Sequence, residues 1–261
     1  MPTHTTLKGF DHIGKSSIST QLEINLEQYL CWGLLCKGNF SNIEIPTSGV
    51  YGGNKHVLRL TDRPGYSLGR VWQGYRSDWV WETGIEYSTQ PINVSGVNVG
   101  NTFYPVGTTG TYSFAIDYPR GEIIFDSPIA SSSTVTCEFS TRFVHVEAAN
   151  RSEWFQEIFS KVDRVDSPYK TQVSSGDWAI GRERTVELPT VIVELSPRSR
   201  FPKGIGLGGG QYLHQDVYFH VFATNKWERD QIFDFIRLQN EKTFLLFDVD
   251  EVNENQAWLV D

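Results

Sequence analysis

Between residues 134 and 146 the chain alternates with a period of two. Val135, Cys137, Phe139 and Phe143 fall on one parity, while Thr134, Thr136, Glu138, Ser140 and Arg142 fall on the other. Successive side chains of a strand point to opposite faces, so this pattern predicts a strand with one face in a core and one in water. Shorter runs repeat the signal. Val71, Gln73 and Tyr75 alternate with Trp72, Gly74 and Arg76, and Trp79, Trp81 and Thr83 alternate with Val80 and Glu82. Asp117-Tyr118-Pro119-Arg120-Gly121-Glu122 reads as a tight turn between strands at 113–117 and 122–126, with Pro presetting φ and Gly relieving the exit. Many short strands punctuated by Gly, Pro and Asn predict a mainly β chain with a β-sandwich or barrel core.

Helical spacing frames this β region. Thr20 with Glu23 three positions on has a capping-box pattern, Leu22, Leu26, Tyr29, Leu30 and Leu34 follow at helical intervals, and Gly38 suits the stop. A second helix is expected over 147–161, through Trp154, Phe155, Ile158 and Phe159. A polar stretch then leads to a smaller C-terminal α+β unit. Its expected elements are a strand at 186–195, whose Pro189 fits an edge or a bulge, and a strand at 215–223, apolar on both faces and so buried on both. A helix capped by Asn225 and Glu228 and a last strand at 243–248 complete it. The expected organisation is an N-terminal arm (1–18), a β-rich domain with flanking helices (19–161), a linker (162–185) and the α+β unit (186–261).

The formal net charge is −8, with no basic run, which makes poor contact with nucleic-acid phosphates or anionic lipids. Cys31, Cys36 and Cys137 are odd in number and irregularly spaced, which argues against a disulfide framework; they read as small buried hydrophobes. The opening, MPTHTTLKGFDHIGKSS, lacks the apolar core of a signal peptide, and no apolar stretch approaches the roughly 20 residues of a membrane helix.

Motifs for chemistry are weak, and neither catalysis nor a cofactor or metal is expected. Gly204-Ile205-Gly206-Leu207-Gly208-Gly209 matches G-x-G-x-x-G literally. It precedes a strand instead of following one, so its amides are not set against a pyrophosphate at a helix start. It reads as a flexible hairpin loop, or as a loop over 204–210 that orders against a neighbour. His4, His12, His56, His145, His214 and His220 form no zinc-spaced motif, and His214 and His220 read as packed side chains on one side of a strand. Asp248-Val249-Asp250-Glu251 lacks the Gly and bidentate Glu of a calcium loop and reads as a solvated turn.

Aromatic content is the unusual feature: Trp 8, Tyr 11 and Phe 16, against a single Met. Tyr66, Trp72, Tyr75, Trp79 and Trp81 crowd together, with Arg59, Arg63, Arg70 and Arg76 between them. Three readings stay open: a strand pair with aromatics inside and Arg at the rim, a subunit interface, or a platform for sugar or single-stranded nucleic acid. The interface reading selects Tyr66, Arg70, Trp72, Arg76, Trp79 and Trp81, with Phe201 and Leu207 from the glycine loop. The sugar reading is that of a host-attachment module using Trp72, Trp79 and Trp81.

Several segments together resemble neck, or head–tail connector, proteins of tailed bacteriophages. These are Trp32-Gly33-Leu34-Leu35 with Lys37-Gly38-Asn39-Phe40-Ser41-Asn42-Ile43, then Leu58-Arg59-Leu60, Gly69-Arg70-Val71-Trp72-Gln73-Gly74-Tyr75-Arg76 and Trp79-Val80-Trp81-Glu82. The hairpin Asp117-Tyr118-Pro119-Arg120-Gly121-Glu122-Ile123-Ile124-Phe125-Asp126 joins them, as do Gln215-Asp216-Val217-Tyr218-Phe219-His220-Val221-Phe222-Ala223 and Trp227-Glu228-Arg229-Asp230-Gln231. The likeness spans roughly residues 21–248 and implies a virion structural protein, assembled in the host cytoplasm. Its implied partners are copies of itself in a ring of six or twelve, other neck, portal or tail proteins, and DNA that passes through without specific binding; no membrane is implied. The rivals are a baseplate or tail-tip component and the carbohydrate-binding module.

Overall fold

The computed structural model describes residues 17–45, 54–152, 154–156, 170–172, 178–180, 186–200, 214–239, 242–243 and 246–250. The expected arm up to residue 16, most of the expected linker, and Phe201, Leu207 and the 204–210 loop lie outside the described residues, while of the expected arm Ser17 caps and Ile18 begins the first helix. The chain is mainly β, with several antiparallel sheets, an N-terminal helix and a small C-terminal helix, as expected.

The chain divides into two compact units, neither continuous in sequence. The first takes the described residues of 17–29, 146–180 and 191–250; the second takes those of 30–145 and 186–190. The sequence pattern had kept 19–161 together. Residues 146–148 instead pair within a sheet of the first unit, because strand pairing joins segments that a polar stretch separates in sequence.

Helix α1 spans Ile18–Leu35. Its cap is Ser17, whose Oγ accepts from the Thr20 amide at 3.0 Å, three residues before the expected cap. Its end is as expected. Gly38 adopts φ +84 and donates to the Leu35 carbonyl, while Asn39 donates to Leu34, the paired bonds of a Schellman stop.

In the second unit, β2 (Arg59–Thr61), β3 (Val71–Gln73), β7 (Glu122–Phe125) and β6 (Phe114–Asp117) form a sheet in the order β2-β3-β7-β6. The expected Pro-Gly turn closes the β6–β7 hairpin, with Asp117 opposite Glu122. A second sheet runs β5 (Thr102–Pro105), β4 (Gly96–Val99), β8 (Val135–Cys137). One apolar core draws on both sheets: Trp72, Ile123 and Phe125 from the first, Val97, Val135 and Cys137 from the second, with Trp79 and Phe139. Trp79 and Phe139 stack with ring centroids 4.1 Å apart.

The long strand expected at 134–146 is three short ones: β8, β9 (Phe139–Arg142) and β10 (His145–Ala148). β9 pairs with β1 (Phe40–Ile43) and is buried on both faces, so Ser140 and Arg142 do not face water, whereas Phe143 is exposed. Alternation predicted the wet and dry faces wrongly because the chain changes partner at Glu138. The strand expected at 79–83 reduces to a single bridge between Trp79 and Thr141.

In the first unit the sheet order is β10-β13-β14, with β13 at Thr190–Arg200 and β14 at His214–Phe222. β13 is central, and its Val191, Ile192 and Val193 are buried. Pro189 stands just before its first residue, where no ladder amide is needed. β14 is not buried on both faces: Tyr218 is 50% exposed. β11 (Lys170–Gln172) and β12 (Trp178–Ile180) form an antiparallel pair. The helix expected from 147 does not begin there, since 147 and 148 belong to β10; helical residues appear at 154–156. Trp154 and Phe155 pack with Ala149, Ile192 and Phe222. Helix α2, Lys226–Arg237, is capped as expected, the Glu228 amide donating to Asn225 Oδ1 at 2.9 Å. The described residues of 243–248 form no strand; Leu246 is exposed and the Phe247 amide donates to Asn25 on α1.

Candidate functional site

Two features of the molecule have more than a packing explanation. The first is a network of charged side chains inside the second unit. The second is a set of large apolar side chains left at the surface.

The network begins at Arg142, on β9 and nearly fully buried. Its Nη1 pairs with Asp78 Oδ1 and also donates to the Trp79 carbonyl at 3.1 Å; its Nη2 pairs with Glu82 Oε1. Its Nε–H is buried without a hydrogen bond. Asp78 occupies a left-handed turn with φ +55, a conformation Asp tolerates better than most residues. That turn aims its second oxygen at His145, whose Nδ1 lies 2.8 Å from Asp78 Oδ2. His145 Nε2 lies 2.8 Å from Arg76 Nη2 and 3.2 Å from Glu187 Oε2. Glu187 also receives Arg76 Nε at 3.2 Å and the Ser77 amide at 2.7 Å.

Burial opposes the charges of Asp78, His145 and Glu187, and their partners outweigh it. For Asp78, burial pushes the carboxyl up, but Arg142 and His145 hold it below the usual carboxylate range. For His145, burial disfavours the imidazolium, but hydrogen bonds to Asp78 and Glu187 raise its pKa from 6.5 to about 9. Glu187 is depressed in the same way: burial works against its charge, and His145 and the Ser77 amide prevail. Two guanidinium groups and three carboxylates leave one negative charge over, which the proton on His145 cancels. Apart from Arg142 Nε, the charged groups of the network find their partners in one another and in nearby backbone. The arrangement ties β9, the 76–78 turn and residue 187 to one another.

Four of the residues expected at an interface, Arg70, Trp72, Arg76 and Trp79, are committed within the chain. Trp72 and Trp79 are core residues, so neither presents a face to a sibling subunit or to a sugar. Trp79 Nε1 donates to the Arg76 carbonyl at 3.0 Å, and Arg76 belongs to the network. Arg70 Nε donates to the Phe125 carbonyl at 2.7 Å, and its guanidinium lies over the Tyr66 ring, 5.4 Å from the centroid, with Arg63 at 5.1 Å from the same ring. Trp81 is half-buried. The crowding of aromatics and Arg in sequence thus resolves mostly into the first of the three readings, rings inside and Arg at the rim.

Apart from Tyr75, the exposed apolar side chains named here come from outside that crowded segment. In the second unit Trp32, Tyr75, Tyr87, Phe103 and Phe143 are exposed. In the first unit Tyr218 and Trp227 are exposed, Trp227 at 68%. Scattered in sequence, they gave no local signal; Phe143 was assigned to the dry face of its strand.

Among the described residues no group of three or more His, Cys, Asp or Glu side chains can hold a metal ion, and no helix is long and apolar enough to cross a membrane. Of the histidines expected to pack, His220 Nε2 lies 2.7 Å from Glu194, while His214 is exposed at the start of β14. The chain matches no protein-family model, no curated protein and no solved structure.

Proposed function

We propose that this chain is a structural subunit of the neck of a tailed bacteriophage, assembling with copies of itself in a ring between portal and tail. The observation behind this reading is the exposed aromatic surface. Trp32, Phe103 and Phe143 on one unit and Tyr218 and Trp227 on the other are the residue types that protein interfaces concentrate. A ring uses two different patches of each subunit, so apolar groups on more than one surface suit it.

The segments that resemble connector proteins supply framework: the 69–76 segment enters β3, the 117–126 segment makes most of the β6–β7 hairpin, and the 215–223 and 227–231 segments make β14 and the start of α2. The rigid network around Arg142 also suits a part that bears load without chemistry. DNA passes through such a ring without specific contact, which the net charge of −8 favours.

Electron microscopy of the purified protein, alone and mixed with portal and tail-tube proteins, tests the proposal. Closed rings that attach to either partner support it. Dispersed single particles that attach to neither overturn it.

A further inference from the structure

Residues 186–190 cross the second unit as a short strap, and one carboxylate fastens most of it. Glu187 Oε1 accepts the Ser77 amide at 2.7 Å, and Oε2 faces Arg76 Nε and His145 Nε2, each at 3.2 Å. The main chain contributes too, through the His145 amide, which donates to the Pro189 carbonyl at 3.0 Å.

His145 Nε2 has two neighbours that demand opposite things of it. A guanidinium has donors only, so the 2.8 Å approach of Arg76 Nη2 requires a lone pair on Nε2. A carboxylate has acceptors only, so the contact with Glu187 requires a proton there. Nδ1 keeps its proton in both cases, because it faces Asp78 Oδ2 at 2.8 Å. We propose that His145 is a proton-operated latch on the strap: charged, it fastens Glu187 through Nε2–H; neutral, it accepts from Arg76 and releases that hold.

The groups around it favour the closed state at neutral pH. Asp78 and Arg76 face it from the 76–78 turn and Glu187 from the strap. Behind Asp78 stands Arg142 of β9, itself paired with Glu82 and close to Cys31 of α1. The charge count closes only with the imidazolium. Burial opposes that charge, yet Asp78 and Glu187 carry the pKa to about 9. In the closed state Arg76 Nη2 retains an acceptor in the Leu188 carbonyl, 3.5 Å away.

Nitrogen-15 NMR of the imidazole between pH 6 and 10 tests the latch. Both ring nitrogens are expected to be protonated at pH 7, with loss of the Nε2 proton near pH 9. The Ser77 amide and the Trp79 indole N–H, which report on Glu187 and on the Arg76 carbonyl, should shift with the same midpoint. In Glu187→Gln the midpoint should fall by at least about one unit, the scale of losing one close opposite charge. A midpoint at the ordinary 6.5, ring shifts flat across the range, or a Ser77 amide that ignores the titration overturns the latch. So does a Glu187→Gln midpoint equal to that of the unaltered protein. If Glu187→Gln fails to fold, the unaltered protein's three signals decide the matter alone.

Discussion

The Arg142 guanidinium closes on the Asp78 carboxylate across 64 positions of sequence, and both lie in one unit. Such an ion pair gains less than its Coulomb attraction suggests, because Arg142 has left water and Asp78 keeps only part of its exposure. Losing one partner is a different matter, since the other is then buried uncompensated. Arg142→Ala leaves Glu82 without this partner and Asp78 with His145 alone, and should cost about 3–5 kcal/mol in urea unfolding. Arg142→Lys keeps the charge but not the planar fork that serves Asp78, Glu82 and the Trp79 carbonyl, and should recover less than half of that loss. A loss under about 1 kcal/mol for the alanine variant contradicts this account of the network.

Stability should fall on both sides of neutrality. Asp78 and Glu187 are depressed in the folded protein, so their contribution is present above the ordinary carboxylate range and disappears as pH drops through their folded values. His145 is raised, so its contribution is complete below its ordinary 6.5 and disappears as pH climbs through about 9. The alkaline arm, about 3 kcal/mol between those limits, is the distinctive one, because a histidine carries it. Urea titrations at pH 6, 7.5 and 9.5 read it directly. A His145→Gln variant should be flat over the same range.

Glu23 behaves oppositely. Burial lifts its carboxyl, and the Ala149 amide that it accepts at 3.1 Å does not offset that. A raised carboxyl costs stability once ionised, so Glu23→Gln, which keeps an acceptor for Ala149, should leave stability at pH 7 unchanged or improve it by up to about 1 kcal/mol. Thermal unfolding at pH 5 and pH 7 distinguishes this from a simple loss.

Two glycines with left-handed backbone separate strain from space. At Gly65, φ +89, a Cβ meets nothing, so Gly65→Ala should cost only the conformational penalty of about 1–2 kcal/mol. At Gly121, φ +64, the Cβ falls 2.6 Å from the Arg76 carbonyl oxygen, and that carbonyl is already fixed by Trp79 Nε1. Gly121→Ala should therefore lose clearly more than Gly65→Ala, and equal losses contradict the packing described around the β6–β7 turn.

The sequence made the local signals plain: the Asn225–Glu228 cap, the Gly38 stop and the Asp117–Glu122 hairpin all lie where residue chemistry puts them. The long-range ones were hidden. No periodicity reveals that β9 is enclosed on both faces, since that depends on Asp78, Trp79 and Glu82, which are remote in sequence. The same blindness placed Arg142 in water and Phe143 inside. Glu23, Asn25 and Glu27 of α1 are buried, against expectation for polar residues, because Ala149, Phe247 and Arg151 supply their partners. The crowded aromatics left core and interface readings open together, and the burial of Trp72 and Trp79 decides for the core.

The surface and core aromatics should respond differently to substitution. Trp79→Ala empties a fully buried site beside Phe139 and should cost about 3–5 kcal/mol. Trp32→Ser and Trp227→Ser should change monomer stability by no more than about 0.5 kcal/mol, and each should weaken self-association. Unfolding curves measured beside sedimentation profiles separate the two effects.

The mass of the assembled protein in solution tests the central claim most directly. Sedimentation equilibrium over a wide concentration range should give a single large multiple of the 29.7 kDa chain, reduced by Trp32→Ser or Trp227→Ser. A mass that stays at one chain throughout, with portal and tail-tube proteins present and unbound, contradicts it.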